Sequence, residues 1–422
     1  MKNTNIEKYN NNNIIVPYTN QEHNRLTNIN YLYQSTKYPI SASSFKYSTQ
    51  KFEMNKLLEA CEISEELENY TYKIQPPQHF IINERGKTRH IASNDIRDKV
   101  CNRNNCDQII YTNIKNYLIY DNGASQKGKG ISFTRKRFEK HLRDAYKEYG
   151  SNDFYILLGD FHNFYGSIPH DKIIKMFKKY VKPNITPEEW KMELLILQQN
   201  FKTFNNDIGI NIGVDIGNHI SQEIGIAYGI PIDNYVKIVK SQKYYARYTD
   251  DWYIINKSKE LLENILEHIY IIANKLGLTL NEKKTHIVKV SHKFHFLQCE
   301  YFMIKTGKLV IKINPKTVTR ERRKLKRYKN LLSKGIMTIK EIENSFKSWL
   351  GNYYKIMSNK QFANMIVLYY QLFERSPKWK KKHKRLNWLT EQVLRIYRQT
   401  GIVSFPIQKS QQIYQTQILP QL

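Results

Sequence analysis

Between Tyr244 and Ile255 the chain reads Tyr-Tyr-Ala-Arg-Tyr-Thr-Asp-Asp-Trp-Tyr-Ile-Ile. Two apolar, aromatic, strand-like runs flank one short polar break, and that pattern is expected to fold as a β-hairpin. The break carries Asp250 and Asp251. A turn there forces both carboxylates to one end of a sheet, where their repulsion is costly unless a divalent cation bridges them. Asp is also common in turns for local hydrogen bonding, so the pair alone has an ordinary reading.

A second carboxylate changes that reading. Ninety residues earlier the chain runs Leu158-Gly159-Asp160-Phe161-His162-Asn163-Phe164-Tyr165-Gly166-Ser167-Ile168-Pro169-His170. The apolar run 154–158 is expected to be a strand that delivers Asp160 to its C-terminal end, the end at which open α/β sheets bind ligands. Asp160 and the hairpin pair could together hold two Mg²⁺ ions, with Mn²⁺ as the alternative ion, for transfer of a nucleotide to a 3′-oxygen. Strand and helix alternate through this region. A helix is expected over 170–180, others over 187–201 and 219–239, and one from about 261 closed by Gly277, followed by strand-like 286–290. The order resembles a ferredoxin-like split βαβ sheet with carboxylates at strand ends.

Charge narrows the partner. The 422 residues carry a formal net charge of +29, and such an excess calls for an anionic partner, nucleic acid before a membrane surface. No run of about 18 apolar residues stands ready to span a bilayer, and the N-terminal MKNTNIEKYNNNN shows no apolar signal region, so a cytoplasmic location without membrane contact is expected. From Tyr301 onward 26 Lys and Arg face 5 Glu and no Asp, which places +21 of the +29 in the last 122 residues. Helical patterns over 318–333, 338–356, 360–374 and 384–399 carry this charge, a surface suited to phosphates. Trp349, Tyr353, Tyr354, Trp379 and Trp388 lie among them as candidates for stacking on unpaired bases. Cys101 and Cys106 form an isolated C-x4-C with no companion pair at zinc spacing, so all four cysteines are expected to be free thiols.

The motifs in order resemble those of prokaryotic reverse transcriptases, the retron, diversity-generating retroelement and defence-associated lineages among them. F-Y-x-S-I-P-H after Asp160, G-N-x-x-S-Q at 217–222 and Y-x-D-D at 248–251 are similar to that family's motifs A, B and C. Leu280-Asn-Glu-Lys-Lys-Thr285 is similar to its L-N-x-x-K-T, Phe296-Leu297 to its primer grip, and Gly86-Lys-Thr-Arg-His-Ile91 to its fingers pattern. The likeness covers roughly residues 80 to 300.

The resemblance implies an α+β right-hand polymerase with fingers, a ferredoxin-like palm and a helical thumb. The expected divisions are an N-terminal extension to residue 50 that orders, if at all, on a partner, fingers over 51–150, palm over 151–300, thumb over 301–375 and a basic C-terminal extension over 376–422. The implied activity is an RNA-directed DNA polymerase that copies an associated structured non-coding RNA into cDNA from dNTPs. Asp160, Asp250 and Asp251 are then the metal ligands, and Lys284 the acid for pyrophosphate departure. For the dNTP, Lys87 and Arg89 grip the triphosphate, Tyr165 excludes a 2′-OH, and Gly217 and Gln222 stand beside the base. Two departures stand out. Ile216-Gly217 replaces the more usual Q-G, a form typical of diversity-generating retroelements, and Gln298-Cys299 stands where the family usually has Gly. With no nuclease or endonuclease signature after the thumb, an anti-phage defence role is expected. The alternatives are a diversity-generating enzyme and a maturase-like RNA-binding protein. Oligomeric state stays open.

Overall fold

The computed structural model describes residues 24–84, 87–204, 211–379 and 383–403. The chain divides into two compact units, each assembled from several segments. One takes the segment up to Ile119 together with His162–Ile232 and Ile272–Thr279; the other takes Tyr120–Phe161, Asp233–Ile271 and the chain from Leu280 onward.

In the first unit an antiparallel ribbon pairs β1 (Gln78–Glu84) with β2 (Lys87–Ser93). Of the N-terminal extension expected over residues 1–50, residues 1–23 lie outside the described residues, and the described part is largely helical. Helices Ile29–Ser35, Lys37–Ser43 and Tyr47–Met54 precede helix Lys56–Glu68, and Leu26, Leu32 and Phe52 are buried. Asn28 caps the first helix by accepting from the Tyr31 amide. Weak apolar periodicity hid the first three of these helices because each is only about two turns long. The unit also holds helices His170–Tyr180, Pro187–Phe204 and His219–Tyr228.

The second unit is built on a four-stranded sheet of β3 (Tyr155–Gly159), β4 (Tyr244–Tyr248), β5 (Asp251–Asn256) and β6 (His286–Lys289). Its spatial order is β4-β5-β3-β6 and every pairing is antiparallel. In the chain, helices separate β3 from β4 and helix Lys259–Leu276 separates β5 from β6, which gives the ferredoxin-like topology expected. Alternation puts Ile156, Leu158, Ala246, Tyr253 and Ile255 on one face of this sheet. Helix Ile131–Tyr149 covers that face through Phe138, whose ring lies 4.5 Å from Tyr253, 4.7 Å from Phe296 and 5.0 Å from Tyr301. Such a ring is worth about 3–5 kcal/mol against truncation to alanine.

A second sheet of three antiparallel strands, β7 (Phe294–Phe296), β8 (Cys299–Met303) and β9 (Leu309–Ile313), contributes Phe296, Tyr301 and Met303 to the same core. Four helices come next, Pro315–Ser333, Ile339–Tyr353, Asn359–Phe373 and Lys384–Thr400, with a core of their own around Leu325, Phe346, Ile366, Tyr369 and Val393. Capping boxes at Thr338/Glu341 and Ser358/Gln361 start the second and third. Helix Lys384–Thr400, expected in a separate extension, shares this core through Leu386, Val393 and Leu394. The stacking candidates are largely consumed here. Tyr353 is buried, Trp349 packs on Phe346, Tyr354 and Trp379 border the core, and Trp388 alone of the five is exposed.

Candidate active site

The register of β3 on β5 pairs Gly159 with Trp252, so Asp160 stands one step further on, beside Asp251. The β4–β5 hairpin closes with the pair Tyr248–Asp251, leaving Thr249 and Asp250 as a two-residue turn. Three carboxylates therefore meet at one end of the sheet, all within the second unit. Burial, and then the charges of Asp250 and Asp160, push the Asp251 carboxyl well above the usual carboxylate range. Burial, and then the charges of Asp250 and Asp251, likewise raise the Tyr248 hydroxyl.

Asp160 is 4 % exposed and is wrapped by the segment 281–285. Lys284 Nζ reaches both its carboxylate oxygens at 2.8 and 2.9 Å, and Asn281 Nδ2 donates to Oδ2 at 3.1 Å. The Asn281 amide donates to the Asp160 carbonyl at 2.8 Å, while the Asp160 amide donates to Thr285 Oγ1 at 3.4 Å. The spacing L-N-x-x-K-T thus has a local cause: Asn281, Lys284 and Thr285 each touch one residue. Partial burial works against the Lys284 charge, but the bond to Asp160 and the nearby aspartates hold its ammonium above the ordinary lysine value.

The oxygen-only, negatively crowded donor set fits a hard divalent cation. Among the described residues no three carboxylate, His or Cys side chains are gathered into a finished metal cage. Lys284 pairs with Asp160, and its side chain is 54 % exposed.

The other expected residues belong to the first unit. Tyr165 lies in the short helix Phe164–Ser167, and its carbonyl accepts from the Val214 amide at 2.9 Å. Gly225 permits its position: a Cβ there would stand 2.8 Å from the Tyr165 hydroxyl and 2.9 Å from its ring. Gly217 has φ +105°, a conformation that side chains resist. It leads into helix His219–Tyr228, whose N-cap Asn218 turns its amide into a buried cluster with Asn102 and Asn200. Gly217 and Gln222 line a cavity of about 650 Å³ together with Ile91 of β2, with Tyr38 of helix Lys37–Ser43, and with Phe45 and Lys46 of the link that follows it. Strand alternation puts Arg89 on the same face of β2 as Ile91. Arg89 is exposed, and the Lys87 side chain lies outside the described residues.

Residues 74–301 match the family described as reverse transcriptase (RNA-dependent DNA polymerase). The chain belongs to the reverse transcriptase family. The match takes in all three carboxylates, the ribbon, both candidate nucleotide-binding segments and β7, and ends within β8. It leaves the helices of 29–68 and the four-helix region after Asn314 outside the reverse transcriptase domain.

Among solved structures the chain is similar to telomerase from Candida albicans in complex with a fragment of telomeric RNA, at 12% identity and a TM-score of 0.43 over 84% of this chain and 66% of that one. It is also similar to apo telomerase from Candida tropicalis truncated from its C-terminal domain, at 14% identity and a TM-score of 0.40 over 59% of each chain. This chain spans less than two thirds of either. No curated protein matches.

Some parts of the reverse transcriptase domain were not visible as functional in the sequence. At the expected primer grip, Leu297 and Gln298 form a two-residue turn with φ of +43° and +69°, so the position where the family usually has Gly is left-handed here without one. Arg135 holds that turn by donating to the Leu297 carbonyl at 2.6 and 3.1 Å, and Tyr353 donates to Gln298. Among the described residues no helix is long and apolar enough to cross a membrane.

Proposed function

We propose that this protein is an RNA-directed DNA polymerase that copies a structured non-coding RNA, held by its own basic surface, into cDNA. The observation that carries the reading is the meeting of Asp160, Asp250 and Asp251 at one sheet end, with segment 281–285 folded around Asp160. Two Mg²⁺ ions, or Mn²⁺ in their place, held by these carboxylates would supply Lewis-acid activation of the primer 3′-oxygen and charge neutralisation of the triphosphate. Lys284 keeps its proton beside Asp160 and is the group placed to give one to the departing pyrophosphate. Lys87 and Arg89 grip the triphosphate with charge-assisted bonds. Gly217, with no side chain, and Gln222 border the nascent base pair. The 650 Å³ cavity beside them is large enough for a nucleotide. Primer extension on an RNA template with separate dNTP and rNTP pools tests the reading, and a protein that extends with neither removes it.

Tyr165 sets sugar choice, with Gly225 as its backing. Tyr165→Ala raises ribonucleotide incorporation relative to deoxynucleotide on the order of tenfold or more, the scale of one well-filled contact. Gly225→Ala moves the same ratio, because its Cβ displaces the ring. Competition assays with matched dNTP and rNTP measure the ratio, and an unchanged value in both variants returns Tyr165 to a packing role.

We place the protein in a prokaryotic lineage acting in anti-phage defence from the cytoplasm. The support is the charge distribution: +21 of the +29 lies after residue 300, enough to hold an RNA stably. The Ile216-Gly217 form favours a diversity-generating enzyme instead. Cells carrying the gene and its neighbouring DNA should resist some phages, and Asp250→Ala/Asp251→Ala should abolish the protection. Equal plaque counts across a broad phage panel remove the defence role, and cDNA that proves to be mutated copies of a neighbouring repeat establishes the diversity-generating one.

A further inference from the structure

We propose that Arg247 is a positioning residue for catalysis: paired in the interior with Asp233, it fixes the turn that carries Asp250. The inference rests on the reading of Asp250 and Asp251 as catalytic carboxylates. Arg247 lies on β4 between Ala246 and Tyr248 and, like Asp233, has no exposed surface. A charge so placed is tolerated only when fully paired. The pairing is bidentate: Nε donates to Asp233 Oδ1 at 2.9 Å and Nη2 to Oδ2 at 2.7 Å. Tyr245 also donates its hydroxyl to Oδ1 at 2.6 Å, a bond that the two-point Arg247–Asp233 pairing does not depend on.

The guanidinium then has a further N–H to direct, and Nη1 donates to the carbonyl of Thr249 at 3.1 Å. Thr249 is the first residue of the catalytic turn and stands at φ +57°, a conformation that a β-branched side chain strongly disfavours. An unsupported turn would relax away from it, and strained backbone of this kind persists where its surroundings over-determine it. A planar fork fixed at two corners by Asp233 holds the Thr249 carbonyl, and with it the neighbouring Asp250, in one place.

The backbone of Arg247 serves a second segment. Its amide donates to the Asp121 carbonyl at 3.2 Å, and its carbonyl accepts from the Gly123 amide at 3.0 Å, so Asn122 bridges to the outer edge of β4. This is where the glycine-rich stretch 122–130 begins. Asp121 is itself held by Arg137 and His141. One arginine therefore joins the catalytic turn to the start of the glycine-rich loop.

The test compares three variants of the full chain. Arg247→Lys keeps a charge for Asp233 but, as a point cation, cannot bridge to Thr249 as well. Arg247→Met/Asp233→Leu removes both charges at similar volume, so the fold survives while the anchor is lost. Tyr245→Phe trims the same buried network and leaves the Arg247–Thr249 bond. Primer extension by Arg247→Lys and by the double variant should fall in kcat on the order of 10²-fold, the scale of a 1 Å misplacement, with KM for dNTP little changed. Half-saturating Mg²⁺ should rise in both. Without added divalent cation, amide hydrogen exchange over residues 248–252 should quicken in both, and Tyr245→Phe should keep wild-type kcat.

Native kcat in Arg247→Lys and the double variant would overturn the proposal. So would a kcat that merely tracks Tm across all three variants, since that marks a stability role alone. A wild-type protein inactive on every primer–template would remove the catalytic reading and this inference together, whereas an active wild type with indifferent Arg247 variants removes only the inference.

Discussion

Asp160→Asn and Asp250→Asn each lower primer extension by roughly 10³-fold or more, with the fold and RNA affinity retained. An asparagine has the shape of aspartate but brings no charge to a divalent cation, and each of these positions is proposed to supply one. Losing Asp160 also frees Lys284 from its ion pair. Its side chain is 54 % exposed, so water solvates it at once and the stability change stays within about 1 kcal/mol. Asp251→Asn separates activity from stability more sharply. The Asp251 carboxyl is pushed up by burial and by the charges of Asp250 and Asp160, so its ionised form opposes folding at neutral pH. A neutral amide removes that opposition. In buffer without divalent cation the Tm of Asp251→Asn should equal or exceed that of the wild type while extension is lost. Thermal melts paired with single-turnover extension measure both quantities. Near-normal extension by Asp250→Asn would remove the active-site assignment.

The carboxylates were legible because strand chemistry is local. Apolar runs on either side of Asp250-Asp251 and before Asp160 specify strands, and a strand delivers the next residue in the chain to a predictable end of the sheet. L-N-x-x-K-T was legible as a pattern, though its physical content, three side chains closing on Asp160, needed the pairing of β3 with β6. Arg247 left a signal that went unread: a cation inside an apolar, aromatic strand requires a buried anion. Its partner Asp233 lies 14 positions away, outside any local pattern. Gly225 could not be found from spacing, because its use is to leave room for a ring 60 positions earlier. The N-terminal helices were hidden by brevity, since each buries only a few side chains and none alone shows a clear stripe. The aromatic residues of the C-terminal region misled for the opposite reason. Composition registers a tryptophan or tyrosine without saying whether it faces solvent or a helix core.

Truncation after residue 300 is a poor probe of the basic region, because it would remove Tyr301 and Met303 from the core of the catalytic sheet. Helix Pro315–Ser333 offers a cleaner one. Val318, Leu325, Tyr328 and Leu332 face its core, while Lys316, Arg320, Arg323 and Arg327 lie along one exposed line at helical spacing. Changing these four to Gln keeps helix propensity and leaves the packed stripe untouched. Each cation–phosphate pairing contributes about 0.7–0.9 to the slope of log affinity against log salt, so neutralising four cations flattens it by roughly 3. The electrostatic contribution vanishes near 1 M salt, where the two proteins should bind RNA alike. At 0.1 M the same difference in slope is a loss of about 10³-fold in affinity. Extension from a saturating pre-bound primer–template should change far less, since none of the four residues belongs to the sheet that carries Asp160. Titrations of a labelled RNA at five or six salt concentrations give the slope directly. Parallel lines for the two proteins would show that this helix face holds no phosphates, and would move the RNA surface to other cations of the chain.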